Sequence, residues 1–544
     1  MKKLAILTLC LLYLMTYCSF NSWAQNTIGL IDYDPDQTIA GYNLIYPDNQ
    51  STVYLLNTCG EVVHRWEDTD EEARPGPVAY LLPDGRLLRT KSFSPLFSTP
   101  SFGIGGSGGV VQLLSWNNEV EWTYVVADSV QRQHHDIHPL PNGHLLILAY
   151  EVIDSSRMTA NGFDYSNANL QEIWSEKIIE IDPQTDSIHW EWHLWDHIIQ
   201  ENDPTKLNFG DVAVSPGRVH LNYQPPTGLN RDWIHANSLD YNEELDQILI
   251  SARNFNELWI IDHSTTTEEA ATSSGGNSNK GGDLLWRWGA TAAYNQGTSD
   301  DQQLFWNHDA QWIDDFVNTD YEYFGAIAVF NNFIDYDVQN GRSLGQILQP
   351  VWDASTQSYV LQDGDYLPQD FSLSFSHPDS VRNFSSAGSS MQVMGSGHVL
   401  MCVARQGRLF ELNSEQEVVW EYLTPLRNGA NLSQGSILNI SDNFTFRTSR
   451  YPSDYLAFEG RDLSPQGYLE LDANEDFCML VSSDEPALVK DRLIIFPNPA
   501  KEMLNLHIET AALPLPLDIH DGYGRLCYQI QMDTSNLQLD INNW

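Results

Sequence analysis

The chain has 544 residues, with 28 Lys and Arg against 73 Asp and Glu and a formal net charge of -45. Such an excess of carboxylates repels phosphate backbones and anionic headgroups, which excludes nucleic acid as a partner. Only 19% of the residues are charged while 17 Trp and 24 Tyr are present, the composition of a large packed core and not of an acidic disordered polymer.

At the start, Lys2-Lys3, an apolar run from Leu4 to Tyr17 and then Ser22-Trp23-Ala24 read as a secretory signal peptide over residues 1–24, cut after Ala24. The run is shorter than the ~20 residues of a bilayer span. No second long apolar stretch follows, so no membrane span is expected once the leader is removed. Cys10 and Cys18 lack the context for lipid attachment and leave with it. Cys59, Cys402, Cys478 and Cys527 have neither CxxC nor Cys/His metal-site spacing. One or two disulfides fit an oxidising compartment, and the sequence does not pair them.

From there to about residue 482 the pattern is all-β, with short runs of β-formers between turn dipeptides and no long stretch of 3.6-residue apolar period. One unit recurs. A hairpin with a Pro/Gly turn appears at Val78–Leu88, Ile137–Ile147 and Met391–Met401. Strands ending on Trp follow at Glu61–Trp66, Glu119–Trp122, Ser187–Trp190, Asp283–Trp286, Ile347–Trp352 and Glu417–Trp420. Six such strands predict a six-bladed β-propeller over 25–482, with loop insertions that make the spacing irregular. In the longest interval, Thr272–Gly282 is rich in Ser, Gly and Asn and reads as a flexible surface insertion. Asp32–Asp36 and Asp472–Asp476 read as solvated acidic loops, since neither has the Gly turn and terminal Glu of a calcium-binding loop.

Most of the 16 His stand singly, as structural residues usually do. Three groups fall at one phase of the repeat: His134-His135-Asp136, then Asp232-Trp233-Ile234-His235-Ala236-Asn237-Ser238 followed by Ser251-Ala252-Arg253, and Asn307-His308-Asp309-Ala310-Gln311. A propeller turns the first strand of each blade toward its axis, so this phase converges on one channel. Three imidazoles can hold zinc, but a guanidinium beside them disfavours a cation and suits an anion.

These three motifs, in this order, resemble the bacterial aryl-sulfate sulfotransferases that do not use a phosphoadenylyl donor, over roughly residues 40 to 425. The resemblance implies a six-bladed propeller with its site in the central channel. It implies a ping-pong transfer of a sulfuryl group from a phenolic sulfate donor to a phenol acceptor, with neither metal nor diffusible cofactor. Carried over, His308 becomes the transiently sulfated nucleophile. His135, His235 and Arg253 bind and polarise the sulfuryl oxygens, His235 serves as acid and base, and Asn237 is a further donor. His134 or His135 could face the substrate, the place directly before Asp136 favouring His135. The N-terminal β-sandwich of enterobacterial relatives is not expected here, since few residues separate the leader from the first strands.

After a break at 482–490, Leu493–Ala500, Leu504–Ile508 and Asp518–Leu526 resemble the C-terminal sorting domain of the type IX secretion system of Bacteroidetes, a small β-sandwich placed at 491–544 and short of its last strands. The leader and this tail predict a protein secreted from, or displayed on, a Gram-negative bacterium and handled by that machinery. The alternative from another class is a non-catalytic surface propeller, adhesin or lectin-like. A sulfatase is disfavoured by the lack of a Cys/Ser-x-Pro-x-Arg motif.

Overall fold

The computed structural model describes residues 26–68, 73–93, 105–166, 170–225, 228–335 and 341–478, and five strands beyond them. The predicted leader and the break at 482–490 lie outside the described residues. Two compact units divide the chain, Met1–Val481 and Ser482–Trp544.

The first unit is a six-bladed β-propeller. Strands alternate their side chains between faces, and in a blade both faces meet a neighbouring blade. In the second strand of the third blade, Leu145–Asp154, Leu145, Ile147 and Ala149 pack with the second blade, while Leu146 and Leu148 pack with the fourth. The core is therefore six wedges, one between each pair of adjacent blades. This explains why the strands read as near-continuous apolar runs. Helices among the described residues are short, the longest being Ser155–Ala160.

From the axis outward, the second blade comprises Ala73–Leu81, Leu87–Phe93, Val110–Leu114 and Val120–Val125, and the third Gln131–Pro139, Leu145–Asp154, Glu172–Asp182 and Ser187–His193. The fourth is Ala236–Asn242, Gln247–Ala252, Glu257–Asp262 and Trp286–Trp288; the fifth is His308–Trp312, Ile327–Asn331, Leu344–Leu348 and Leu373–Phe375. The three sequence hairpins are the two inner strands of the second, third and sixth blades. Gly85 and Gly143 take positive φ at the first two turns, a conformation that only glycine adopts freely. Counted from the axis, five of the six Trp-ended runs lie in the fourth strand of their blade, and one does not. Ile347-Leu348 ends the third strand of the fifth blade and Trp352 opens a small hairpin, because Leu373–Phe375 takes the outer edge.

Ring closure joins the two ends of the unit. Thr445–Pro452 is the innermost strand of the first blade, paired with Gly41–Pro47 from Gly41↔Pro452 to Pro47↔Thr445. Gly29–Tyr33 adds a fifth, outer strand to the sixth blade beside Val418–Leu423. The buried Arg450 of the closing strand pairs with Glu411 of the sixth blade. Its guanidinium lies 4.6 Å from the Trp420 ring.

Among the cysteines, Cys59 and Cys478 form a disulfide with Cα atoms 5.5 Å apart, across a sequence separation of 419. Cys402 is a buried free thiol. A cross-link over so long a loop restricts the unfolded chain, typically by 2–4 kcal/mol. Cys478→Ser is therefore expected to destabilise the propeller by about that amount and to lower Tm in non-reducing thermal unfolding, with no effect of reductant on the variant.

The Ser/Gly-rich insertion lies at the surface over 272–280, as expected, and its backbone is tied down by hydrogen bonds. Gly281 and Gly282 donate backbone hydrogen bonds to Gly275 and Thr272 at 3.0 Å. Ser278 N donates to the buried Asp262 Oδ2 at 2.9 Å, and Trp192 Nε1 donates to Gly282 O at 2.8 Å. Polar backbone partners, which composition does not reveal, anchor it.

In the second unit, Arg492–Phe496, Met503–Glu509 and Asn536–Asp540 form an antiparallel sheet and Leu515–His520 pairs with Leu526–Met532. No helix of the described residues is long and apolar enough to cross a membrane.

Candidate active site

The histidine motifs fall where the innermost strands depart from regular pairing. Register shifts lie between Ile147 and Ala149 in the third blade, Ala236 and Leu239 in the fourth, and His308 and Gln311 in the fifth. A bulge adds a residue and re-aims its side chain. His135 and His235 adopt φ of 46° and 54°, which costs a non-glycine residue roughly 1–2 kcal/mol. Both rings, with Arg253 and His308, line one cavity of about 610 Å³ whose walls include Phe444 and Phe446.

Each imidazole has a different partner. His308 is buried, and its Nδ1 lies 2.9 Å from Trp306 O and 2.7 Å from Asn332 Oδ1. The amide orientation of Asn332 follows from its network: Nδ2 donates to Ser385 O at 2.9 Å and Gly388 O at 3.0 Å, leaving Oδ1 for His308. Two acceptors at Nδ1 require a proton there, so the lone pair of the neutral ring sits on Nε2. Burial, with Arg253 nearby, holds the His308 pKa well below the ordinary imidazole value.

His235 Nδ1 donates to Asp232 Oδ2 at 2.6 Å, and Tyr150 Oη donates to Asp232 Oδ1 at 3.1 Å. Burial opposes the Asp232 charge, but His235 and these hydrogen bonds outweigh it and keep the carboxyl below its usual range. An ionised carboxylate on Nδ1 leaves Nε2 able to take and return a proton.

His135 ends a relay. Its Nδ1 is 2.9 Å from His134 Nδ1, and His134 Nε2 is 2.9 Å from Glu176 Oε2. Glu176 Oε1 accepts from Ala236 N at 2.8 Å. Burial pushes the Glu176 carboxyl well above its usual value and lowers His134 to about 3. A protonated Glu176 donates to His134, His134 donates to His135, and His135 Nε2–H becomes a donor.

Arg253 lies 5.1 Å from the Trp306 ring and donates to Asn254 Oδ1 at 2.9 Å. No carboxylate of the described residues forms an ion pair with it. The Asp232 charge acts on it through space without a direct ion pair, and an always-charged guanidinium facing a cavity suits an anion. Beneath, Arg447 of the closing strand pairs with Asp136 at 2.9 Å and Asp309 at 2.6 Å and also bonds Tyr80. Burial opposes its charge, but Asp136 and Asp309 outweigh it and raise its pKa well above the usual value. Tyr80, Asp309 and Arg447 line a second cavity of about 520 Å³, which His135, His235, Arg253 and His308 do not line.

The profile of the arylsulfotransferase (ASST) family matches residues 96–424. The chain belongs to the arylsulfotransferase family. A secretion system C-terminal sorting domain matches residues 494–544, which marks this arylsulfotransferase for export through the type IX system to the surface or the medium. No curated protein matches the chain. Among solved structures, a protein of unknown function from Bacteroides caccae is 9% identical, with 76% of this chain and 99% of that one covered and a TM-score of 0.35. The virginiamycin B lyase of Staphylococcus aureus is 9% identical over 74% and 90% at a TM-score of 0.32. The Cps50 (Swd1) propeller domain of Myceliophteria thermophila is 10% identical over 75% and 91% at 0.35. Similarity this distant says nothing about chemistry.

Of the residues singled out in the sequence of this arylsulfotransferase, His135, His235, Arg253 and His308 come together at the cavity. Asn237 and His134, expected to touch substrate, do not line it. Asn237 is buried with Nδ2 donating to Asn307 O at 2.8 Å. His134 is stacked on Tyr150 at 3.5 Å and turned toward Glu176. Asp232, three residues before His235, was within the motif and readable as its partner. Glu176, Asn332, Phe444 and Phe446 carry no local signal, since strands distant in sequence bring them in.

Gly106 packs against the site: a Cβ there would lie 2.1 Å from His135 Nε2, at a backbone φ of +73°. Gly106→Ala is expected to shift His135 and lower kcat/KM about 10- to 100-fold, with the far-UV circular dichroism unchanged.

Proposed function

We propose that the protein transfers a sulfuryl group from a phenolic sulfate ester to a phenol by a ping-pong route through His308, after export as a mature chain beginning at Gln25. The observation that carries this reading is the pairing of His308 Nδ1 with two acceptors, which leaves the Nε2 lone pair for attack in the cavity that Arg253 also lines. The Nε2 lone pair attacks sulfur, the sulfur–oxygen bond to the aryl group breaks, and the departing phenolate takes a proton from His235. The product is an N-sulfo group on His308. The acceptor phenol then gives its proton to His235 and attacks sulfur, which frees the ring. Negative charge on the peripheral oxygens is met by Arg253 and by the Nε2–H of His135. Phe444 and Phe446 give the aryl ring an apolar wall.

Mass spectrometry of the protein quenched with p-nitrophenyl sulfate tests the route: the expected result is one added sulfo group on His308. Nitrophenolate release that depends on an added phenol is expected as well. Release without any acceptor would favour a sulfatase, and no release would favour the non-catalytic surface propeller.

The relay makes Glu176 a positioning residue. Glu176→Gln reproduces the donor of the protonated carboxyl and is expected to stay within about tenfold of wild type, whereas Glu176→Leu loses roughly 10- to 100-fold. As pH rises and Glu176 ionises, the relay reverses and His135 Nε2 turns acceptor. The wild type should lose activity on the alkaline side by this route, and the Gln variant should not.

A further inference from the structure

A second histidine cluster lies on the third blade. His144 directly precedes the second strand, Asp182 ends the third and His189 lies in the outermost. Each offers one ligand atom, and the three atoms lie within 4.8 Å of one another. We propose that His144, Asp182 and His189 form a surface binding site for a divalent late transition ion, zinc in the first place, with water as the fourth ligand. The proposal is independent of the sulfuryl-transfer reading.

The neighbours of the cluster are arranged as at a zinc site. His144 Nδ1 donates to Glu180 Oε1 at 2.6 Å, which fixes the ring and leaves Nε2 with its lone pair. Glu180 is held in turn by His263 at 3.1 Å and Asn142 at 3.3 Å. A carboxylate behind a ligating imidazole is the usual second layer of zinc centres. The Asp182 carboxylate is oriented by Gln184 N and Thr185 Oγ1, both at 2.8 Å, and each oxygen keeps a lone pair. His189 is exposed, makes no hydrogen bond among the described residues, and stands with its ring centroid 4.4 Å from that of His144. Zinc–nitrogen bonds of about 2.0–2.1 Å bring tetrahedral ligands roughly 3.4 Å apart, so closure from separations within 4.8 Å asks at most about 1.4 Å of movement, which the exposed His189 can supply. Two imidazoles with one carboxylate favour zinc, cobalt or nickel over calcium and magnesium, which take oxygen ligands.

The test is titration of the mature full-length protein with cobalt(II), followed by zinc competition. One equivalent with the visible bands of four-coordinate cobalt is expected, together with a rise in Tm on zinc addition. His189→Ala, at an exposed position, should raise the dissociation constant at least about tenfold and remove the Tm response, with circular dichroism and sulfotransfer activity unchanged. His144→Ala should do the same. His308→Ala should leave the cobalt signal intact, which separates this cluster from the channel histidines. Absence of binding, or binding unaltered by His189→Ala, overturns the proposal.

Discussion

His308→Ala is expected to lower kcat/KM for phenol-dependent release from p-nitrophenyl sulfate by on the order of 10³-fold or more and to abolish the sulfo adduct. Removal of the ring eliminates the covalent route, and nothing else at the cavity repeats its geometry. His235 has its Nδ1 on a carboxylate and His135 has its Nδ1 on another imidazole, so each is built to carry or donate a proton. Only His308 has Nδ1 held by two neutral carbonyl oxygens. The variant should still fold and still bind donor, since Arg253 and His135 remain. Imidazole in solution, entering the space vacated, should restore part of the activity. An adduct that persists in the variant would assign the nucleophile elsewhere. Because burial and Arg253 keep His308 neutral, protonation of the nucleophile should not limit the sulfation step across the ordinary imidazole range, and the acid side of the profile should lie well below it.

Arg253→Met is expected to reduce kcat/KM by about 10²- to 10³-fold, the effect of removing one preorganised donor from a developing oxyanion. The loss should fall on kcat more than on KM, since charge on the peripheral oxygens and the leaving phenolate peaks in the transition state. Arg253→Lys should recover only part of the loss. The guanidinium is a planar fork stacked against Trp306, and a lysine ammonium supplies the charge without the fork or the stacking. A large rise in KM with kcat unchanged would make Arg253 a binding residue for the ground state alone.

Both substitutions concern residues that the motifs already marked. The repeating hairpins and Trp-ended strands made the propeller legible, because alternation along a strand and a Pro/Gly turn are local properties. The exception at Trp352 has the same origin: a strand can be read from its own residues, but its place in a blade depends on which later segment pairs with it. The Ser/Gly stretch at 272–282 reads as flexible by composition, while its anchors, Asp262 and Trp192, lie on other strands.

The sequence by itself determined the fold class, the family, and the phase at which His135, His235, Arg253 and His308 meet, because each of these is written in short motifs. What each of those side chains can do was decided only by the tertiary structure. Glu176, Asp232, Asn332 and the closing strand with Phe446 and Arg447 set the tautomers, the charge balance and the apolar wall. A proton on one ring nitrogen or the other is chosen by the hydrogen bond at its far side, and strands far apart in the chain supply that partner.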